Sequence, residues 1–153
     1  YQYRVRASNS GGNSAYSNTA SATTQTATAT LYEAENAVLV GAVVSTIHSG
    51  YTGTGFVDYV NPSGDYIEWT VSVPAAGNYT IDFRYGNGST ANRPLELRVN
   101  QVVASSSLPF TPTASWTAWN ISGMTVSLNA GVNTIRLTAI GSSGANIDSL
   151  TVR

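Results

Sequence analysis

Apolar and polar residues alternate along several short stretches of the chain. Residues 66–73, 79–85, 95–100 and 133–140 all follow this pattern. In the first of them, one face would carry Ile67, Trp69, Val71 and Val73. Alternation with a period of two, bounded by Gly, Pro and Asn, is typical of half-buried antiparallel strands, and no stretch of ten or more residues carries a helical stripe. The pattern predicts an all-β fold, a β-sandwich of two antiparallel sheets with Trp69 in its core.

The first thirty residues differ from the rest. Residues 1–7, YQYRVRA, predict a strand, whereas residues 18–30 carry almost no large apolar side chain and predict a linker. The opening YQYRVRASNSGG, followed by SAYSN, resembles the last two strands of a fibronectin type III domain, which cannot form a core alone. We therefore interpret residues 1–24 as the C-terminal remnant of such a domain, 25–30 as a linker and 31–153 as a second module of a larger protein.

Composition narrows the classes of partner. Charged residues make up only 10% of the 153 residues, against about 25% in an average soluble domain. The seven basic residues are scattered arginines and the net charge is −1, so the sequence predicts no binding to nucleic acid or to an anionic membrane. No apolar run approaches the roughly 20 residues of a membrane span. The absence of cysteine excludes disulfides, thiolate catalysis and zinc–thiolate sites.

Three acidic residues lie near the two ends of the predicted sandwich. Glu33 and Glu35 would point to the same side of an extended chain, about 7 Å apart, and would repel each other without a cation or hydrogen-bond donors. Asp148 shares parity with Leu150 and Val152, so we expect an inward carboxylate that needs a partner. The first and last strands of a sandwich are commonly neighbours. Oxygen ligands without His or Cys favour Ca²⁺, although solvation or pairing with arginine would also accommodate these acids, and a catalytic pair fits this strand edge poorly.

Three blocks of sequence carry a family resemblance. They are YEAENA, the stretch from GYTGTGF to LELRVN, and SWTAWN with VSLNAGVNTIRLTAIGSSGANIDSLTV. In this order they resemble a family 35 carbohydrate-binding module, with the sister family 6 close behind, over residues 31–153. The resemblance implies a β-jelly-roll with a structural calcium ion. It also implies that Glu33, Glu35 and Asp148 are the calcium ligands, together with backbone carbonyls.

A carbohydrate site needs an aromatic ring for the C–H face of a sugar and polar groups for its hydroxyls. The loops of the predicted sandwich supply both. We expect sugar contacts from Tyr51, Asn87, Arg93, Trp116 and Asn146. Trp116 and Trp119 would face opposite ways along a strand, so we assign Trp119 to the core. The lone histidine, His48, is predicted to be a loop residue without catalytic consequence.

Arg93 bears on the sugar class, because arginine binds a carboxylate through two parallel hydrogen bonds. An exposed Arg93 would favour uronic acids. The resemblance leaves two ligand classes open: some members of the family bind uronic acids with a second calcium ion in the site, and others bind neutral galactose- or mannose-containing chains.

The favoured function is therefore a non-catalytic, calcium-containing module. It would hold a secreted polysaccharide-degrading enzyme on plant or microbial polysaccharide, as a monomer outside the cell. The covalently linked parent enzyme would be a glycoside hydrolase, an esterase or a polysaccharide lyase. A hydrolase or lyase domain in its own right would use Asp58, Asp65 and Glu68 as its best acids, but no spacing suggests an acid of raised pKa beside an ionised base. A structural or adhesion module is the third alternative.

Overall fold

The computed structural model describes residues 2–21 and 28–153. Strands dominate residues 28–153, residues 2–21 contain four strands of two residues each, and a short 3₁₀ turn spans Ala34–Asn36. The strands are β1 Gln2–Tyr3, β2 Ser8–Asn9, β3 Gly12–Asn13, β4 Ala20–Ser21, β5 Thr30–Glu33, β6 Val38–Val40, β7 Ala42–Ser45, β8 Phe56–Tyr59, β9 Ser63–Val73, β10 Gly77–Gly86, β11 Leu95–Val99, β12 Val102–Leu108, β13 Trp119–Leu128, β14 Gly131–Ile140 and β15 Asn146–Val152.

Residues from β5 onward form two antiparallel sheets. One sheet has the order β13-β10-β15-β8-β7, with β5 paired to the edge of β15 that β8 leaves open. The other has the order β12-β11-β14-β9-β6. The two-sheet sandwich predicted from alternation is therefore confirmed, and the first strand of the module does pair with its last.

The core lies between the two sheets, on the apolar face of each strand. On β9, Ile67, Trp69 and Val71 are buried, and Trp69 is only 2% exposed, as predicted. Its ring lies 5.7 Å from the ring of Phe83 on β10, so this pair joins the two sheets. Burial of one such side chain contributes about 1.5–3 kcal/mol.

A β-bulge interrupts the alternation at the start of β15. Arg84 pairs with Ser149, whereas Tyr85 pairs with Ile147, which leaves Asp148 without a partner. The prediction that the Asp148 carboxylate points inward is wrong, because the side chain contacts Arg84 on the outer side of the sheet. Asp148 is nevertheless fully buried there. The inserted residue breaks the parity with Leu150, and bulges commonly re-aim a side chain in this way.

Four loops meet at one end of the sandwich, and they carry Tyr51, Asn87, Arg93 and Trp116, four of the five residues predicted to contact sugar. Gly86 pairs with both Trp119 and Asn146, and Ser45 pairs with Phe56, so the ends of β7, β10 and β12 and the starts of β8, β13 and β15 lie together. The four loops are residues 46–55, 87–94, 109–118 and 141–145.

The segment before the module contains two short strand pairs, β1 with β4 and β2 with β3. The side chains of Arg4 and Arg6 both lie over the ring of Tyr16. The predicted boundary at residue 24 and the first part of the predicted linker fall outside the described residues. Within the described ranges, we find no helix of the length and apolarity needed to cross a bilayer.

Candidate functional site

Glu33, Glu35 and Asp148 come together around one loop. The backbone N–H of Thr52 donates to Asp148 Oδ1 over 2.8 Å, and its hydroxyl lies 2.8 Å from Glu33 Oε2 and 2.9 Å from Asp148 Oδ2. The N–H of Thr54 donates to Glu35 Oε1 over 2.6 Å. We call Glu33, Glu35 and Asp148 the acidic cluster.

The acidic cluster carries more negative charge than its surroundings balance. Arg84 lies 2.5 Å from Asp148 Oδ2, and one guanidinium against three carboxylates leaves a charge of −2. Desolvation raises the pKa of the Glu33 carboxyl, and the nearby carboxylates of Glu35 and Asp148 raise it further, against the lowering effects of the Thr52 hydrogen bond and of Arg84. The single proton of the Thr52 hydroxyl can serve only one of its two carboxylate contacts.

Two observations test whether the acidic cluster fits a cation. Glu35 Oε2 is buried and has no hydrogen-bond partner among the described residues, although a buried carboxylate oxygen normally has one. Gly53 adopts a φ of +62°, and a Cβ at this position would collide with Glu35 Oε1. The absence of a side chain at Gly53 therefore allows the Glu35 carboxylate to lie against the loop. Hard oxygen donors with a charge of −2 suit a divalent ion such as Ca²⁺.

The carboxylates converge on residues 52–54 and do not surround one common point. Accordingly, within residues 2–21 and 28–153 no three His, Asp or Glu side chains already stand in the arrangement of a metal centre. The residue types, the net charge and the unpartnered oxygen fit a calcium ion. In this structure the Asp148 carboxylate accepts hydrogen bonds from Thr52 and Arg84.

Aromatic side chains form the neighbouring half of the loop end. The rings of His48 and Trp116 stack 5.8 Å apart at an angle of 12°, and His48 also stacks on Phe56. Tyr51 lies 6.0 Å from Phe56. Trp116 and Tyr51 are both half-buried, so part of each ring faces solvent. We call His48, Tyr51 and Trp116 the aromatic cluster.

Arg93 connects the aromatic cluster to the loop that precedes β15. Its Cζ lies 5.2 Å from the centre of the Trp116 ring, and its NH1 group donates to Ser143 Oγ and to the Gly144 carbonyl, over 3.2 and 2.8 Å. Of the three guanidinium nitrogens of Arg93, only NH1 donates hydrogen bonds to described residues. Asp58 is half-buried nearby: desolvation raises the pKa of its carboxyl above the usual value, against the lowering effects of Arg93 and His48.

The two asparagines predicted to contact sugar differ in this structure. Asn146 is nearly buried, and no described residue forms a hydrogen bond with its amide group. Asn87 is fully buried: its amide nitrogen donates to the carbonyls of Ala91 and Phe110, and its oxygen accepts from the N–H and the hydroxyl of Ser89. The structure therefore gives Asn87 a role in holding the loop, in place of the predicted direct contact.

Trp119 is not a core residue, contrary to the prediction. It is half-buried, its indole N–H donates to the Ser49 carbonyl over 3.0 Å, and Arg84 lies over its ring. Trp119 pairs with Gly86, two residues beyond Arg84 on β10, so its side chain lies with Arg84 on the outer face of the sheet and not between the two sheets.

The acids considered for catalysis are separated. Asp65 accepts hydrogen bonds from the N–H groups of Val60 and Asn61 and from the Asn61 amide, which closes a turn. Glu68 pairs with Arg136 on the outer face of the other sheet. Neither faces Asp58 as an acid–base partner would.

The sequence alone did not indicate His48 or Arg84 as parts of a site, and it offered Asp58 only as an acid for the alternative of a catalytic domain. His48 and Arg84 join the site only through contacts between loops and strands that are distant in sequence.

A β-sandwich with an acidic cluster and exposed aromatic rings at one loop end is the architecture of a carbohydrate-binding module. The sequence model of "Carbohydrate binding module (family 35)" matches residues 30–153. A family 35 module from Clostridium thermocellum is 46% identical and superposes with a TM-score of 0.80, over 82% of this chain and 98% of that one. The chain belongs to family 35 of the carbohydrate-binding modules, and such a module is non-catalytic.

Relatives of this chain are parts of larger enzymes. An exo-β-D-glucosaminidase of Amycolatopsis orientalis is 45% identical over 122 residues, which are 79% of this chain and 12% of the enzyme. A structure titled "Xyl-CBM35 in complex with glucuronic acid containing disaccharide" is 30% identical, with a TM-score of 0.72 over 80% of this chain and 91% of that one. The chain thus spans only about an eighth of the glucosaminidase that it matches.

Proposed function

We propose that this module binds polysaccharide at the loop end, with the Trp116 ring as the surface for a sugar face. The stacked arrangement of His48, Trp116 and Arg93 supports this most strongly, because it fixes one half-exposed ring beside polar groups. Asn146, which pairs with Gly86 at the same loop end, offers an amide without hydrogen bonds to the described residues, and Tyr51 offers a second aromatic edge. A shallow site of one or two sugar rings gives weak affinity, which suits reversible attachment to a surface.

The ligand class that this arrangement favours is a glycan containing uronic acid. Arg93 lies at the site and uses only its NH1 group, so its remaining N–H groups are available to a carboxylate. The similarity to a module complexed with a glucuronic-acid-containing disaccharide supports the same class. A second calcium ion at the ligand belongs to this proposal, with Asp58 as the acidic group on that side. Neutral galactose- or mannose-containing chains are the competing outcome.

The acidic cluster would hold a structural calcium ion, with Glu33, Glu35 and Asp148 as its side-chain ligands. A bound calcium ion would supply the two positive charges that the cluster lacks. The support is the unpartnered Glu35 Oε2 and the raised pKa of the Glu33 carboxyl, which comes first from desolvation and then from the carboxylates of Glu35 and Asp148. Even without a cation, Glu33, Glu35 and Asp148 hold the loop around Thr52 by accepting its hydrogen bonds.

The biological role would be attachment of a secreted polysaccharide-degrading enzyme to its substrate. Attachment raises the concentration of a linked catalytic domain at the surface without new chemistry. The relatives support this role, because they carry the module as a small part of a longer enzyme. Residues 1–24 would be the end of a fibronectin type III-like domain, and residues 25–30 a linker to the module, which would act as a monomer.

Affinity electrophoresis with polysaccharide in the gel tests the site. Trp116→Ala should lose about 5- to 30-fold in affinity, because a ring–sugar contact of about 1–2 kcal/mol disappears. The matched control is Tyr79→Ala, which removes a half-buried ring at the opposite end of β10. Equal retention of wild type and Trp116→Ala, with both folded, would refute this site. No binding to any glycan, with calcium present, would favour a structural module.

A further inference from the structure

Arg84 touches both halves of the loop end with one guanidinium group. It lies on the outer face of β10, between β13 and β15. Its NH1 group pairs with Asp148 in the acidic cluster, and its NH2 group donates to the Gly50 carbonyl over 2.8 Å. Its Cζ lies 5.0 Å from the centre of the Trp119 ring.

The loop that Arg84 holds, residues 49–54, lies between the acidic and the aromatic clusters. At its beginning, the Ser49 carbonyl accepts a hydrogen bond from Trp119, and Gly50 has a φ of +92° and no space for a Cβ beside that ring. At its end, Thr52 and Thr54 are bonded to the acidic cluster. Tyr51 lies between these two attachments, so its position depends on both.

We propose that Arg84 is a positioning residue that couples calcium binding to sugar binding through the loop of residues 49–54. This inference rests on the proposed calcium and sugar sites. A cation at the acidic cluster and a sugar at the aromatic cluster would then act on one shared loop. Each would change the affinity of the other by the same factor.

The two effects of Arg84 have opposite signs. Its positive charge lies beside Asp148 and repels a cation that binds there. Its hydrogen bond to Gly50 holds the sugar-binding loop in place and favours the sugar. Loss of the charge should therefore tighten calcium binding, whereas loss of the geometry should weaken sugar binding. A residue that only stabilised the fold would weaken both.

Two variants separate charge from geometry. Arg84→Gln removes the charge and the paired hydrogen bonds. We expect this variant to bind calcium about tenfold more tightly, because the solvent-screened repulsion between Arg84 and the cation is lost. We expect it to bind polysaccharide about fivefold more weakly, because the hydrogen bond to Gly50 is lost. Arg84→Lys keeps the charge but not the planar fork. Its calcium affinity should remain near the wild-type value, while its polysaccharide affinity should fall as in Arg84→Gln. Arg98→Gln is the control, because it removes the same charge from a pair with Glu96 on the other sheet.

The measurements are calcium titration calorimetry, affinity electrophoresis and the indole N–H resonance of Trp119. This resonance should shift in both Arg84 variants and stay in place in Arg98→Gln, whether or not a sugar binds. A wild type that binds no sugar would refute the proposed function and with it the coupling, whereas the Trp119 resonance and the calcium affinity would still test whether Arg84 holds the loop and repels the cation. Weaker calcium binding in Arg84→Gln, or an unmoved Trp119 resonance, would overturn the inference.

Discussion

Replacing Glu35 by glutamine is the sharpest perturbation of the proposed calcium site. The substitution keeps the size of the side chain but removes one of the three negative charges of the acidic cluster. It also replaces a carboxylate oxygen by an amide NH₂ group in the side chain whose Oε2 has no partner. With calcium at about 100 times its Kd, binding to the native state alone stabilises it by about 2.7 kcal/mol. For a domain of this size, that corresponds to roughly 10 °C in Tm, which a chelator should remove.

The Glu35→Gln variant should respond differently in the two buffers. If the lost ligand weakens calcium binding by about 100-fold, the stabilisation falls to about 0.4 kcal/mol, and the chelator should shift Tm by less than about 2 °C. In chelator, the variant should equal or exceed the wild type, because carboxylate repulsion is relieved. Thermal unfolding in calcium and in EDTA measures both effects, with Glu96→Gln as the control. An equal chelator shift in wild type and Glu35→Gln would refute the assignment of Glu35 as a ligand.

Three further predictions concern other residues of the loop end and the fold. Asn87→Ala should lower the free energy of unfolding by about 2 kcal/mol in urea titration, because the buried amide loses its hydrogen bonds to the Ala91 and Phe110 carbonyls and to Ser89; an unchanged midpoint would contradict its role in the loop. Gly53→Ala should reduce the chelator shift as Glu35→Gln does, since the Cβ displaces Glu35 Oε1; calorimetry with unaltered calcium affinity would count against it. Desolvation raises the pKa of Asp65, but hydrogen bonds from Asn61 and Val60 lower it more, so the folded pKa lies below the ordinary value. This carboxylate therefore stabilises the fold above about pH 4 and loses that effect as pH falls through the folded pKa, so Asp65→Asn should cost more stability at about pH 6 than at about pH 2.5 in urea titrations.

The strands were predictable because alternation of apolar and polar residues depends on the two faces of a sheet. Ile67, Trp69 and Val71 needed no tertiary information to be assigned to the core. The pairing of β5 with β15 could be predicted because the first and last strands of sandwich folds are commonly neighbours. The bulge at Asp148 could not be predicted, since an inserted residue leaves the sequence pattern of a strand almost unchanged.

The loops were less predictable, because a loop side chain has no periodic pattern to reveal its direction. Asn87 proved to be buried by its own loop, and Trp119 proved to lie beside Arg84 on the outer face of its sheet. His48 gained a place in the site only because its loop folds back onto Trp116. Contacts of this kind depend on the packing of four loops, which single-sequence patterns do not contain.

The central claim is that a glycan binds at the loop end, on the ring of Trp116. The most direct test is a ¹H–¹⁵N NMR titration with a glucuronic-acid-containing disaccharide in calcium, followed on the indole N–H resonances of the three tryptophans. We predict a progressive shift for Trp116 and for the side-chain amide of Asn146, and an unmoved resonance for the buried Trp69. Saturable shifts confined to the opposite end, around Tyr32 and Tyr79, with Trp116 unmoved, would contradict the claim.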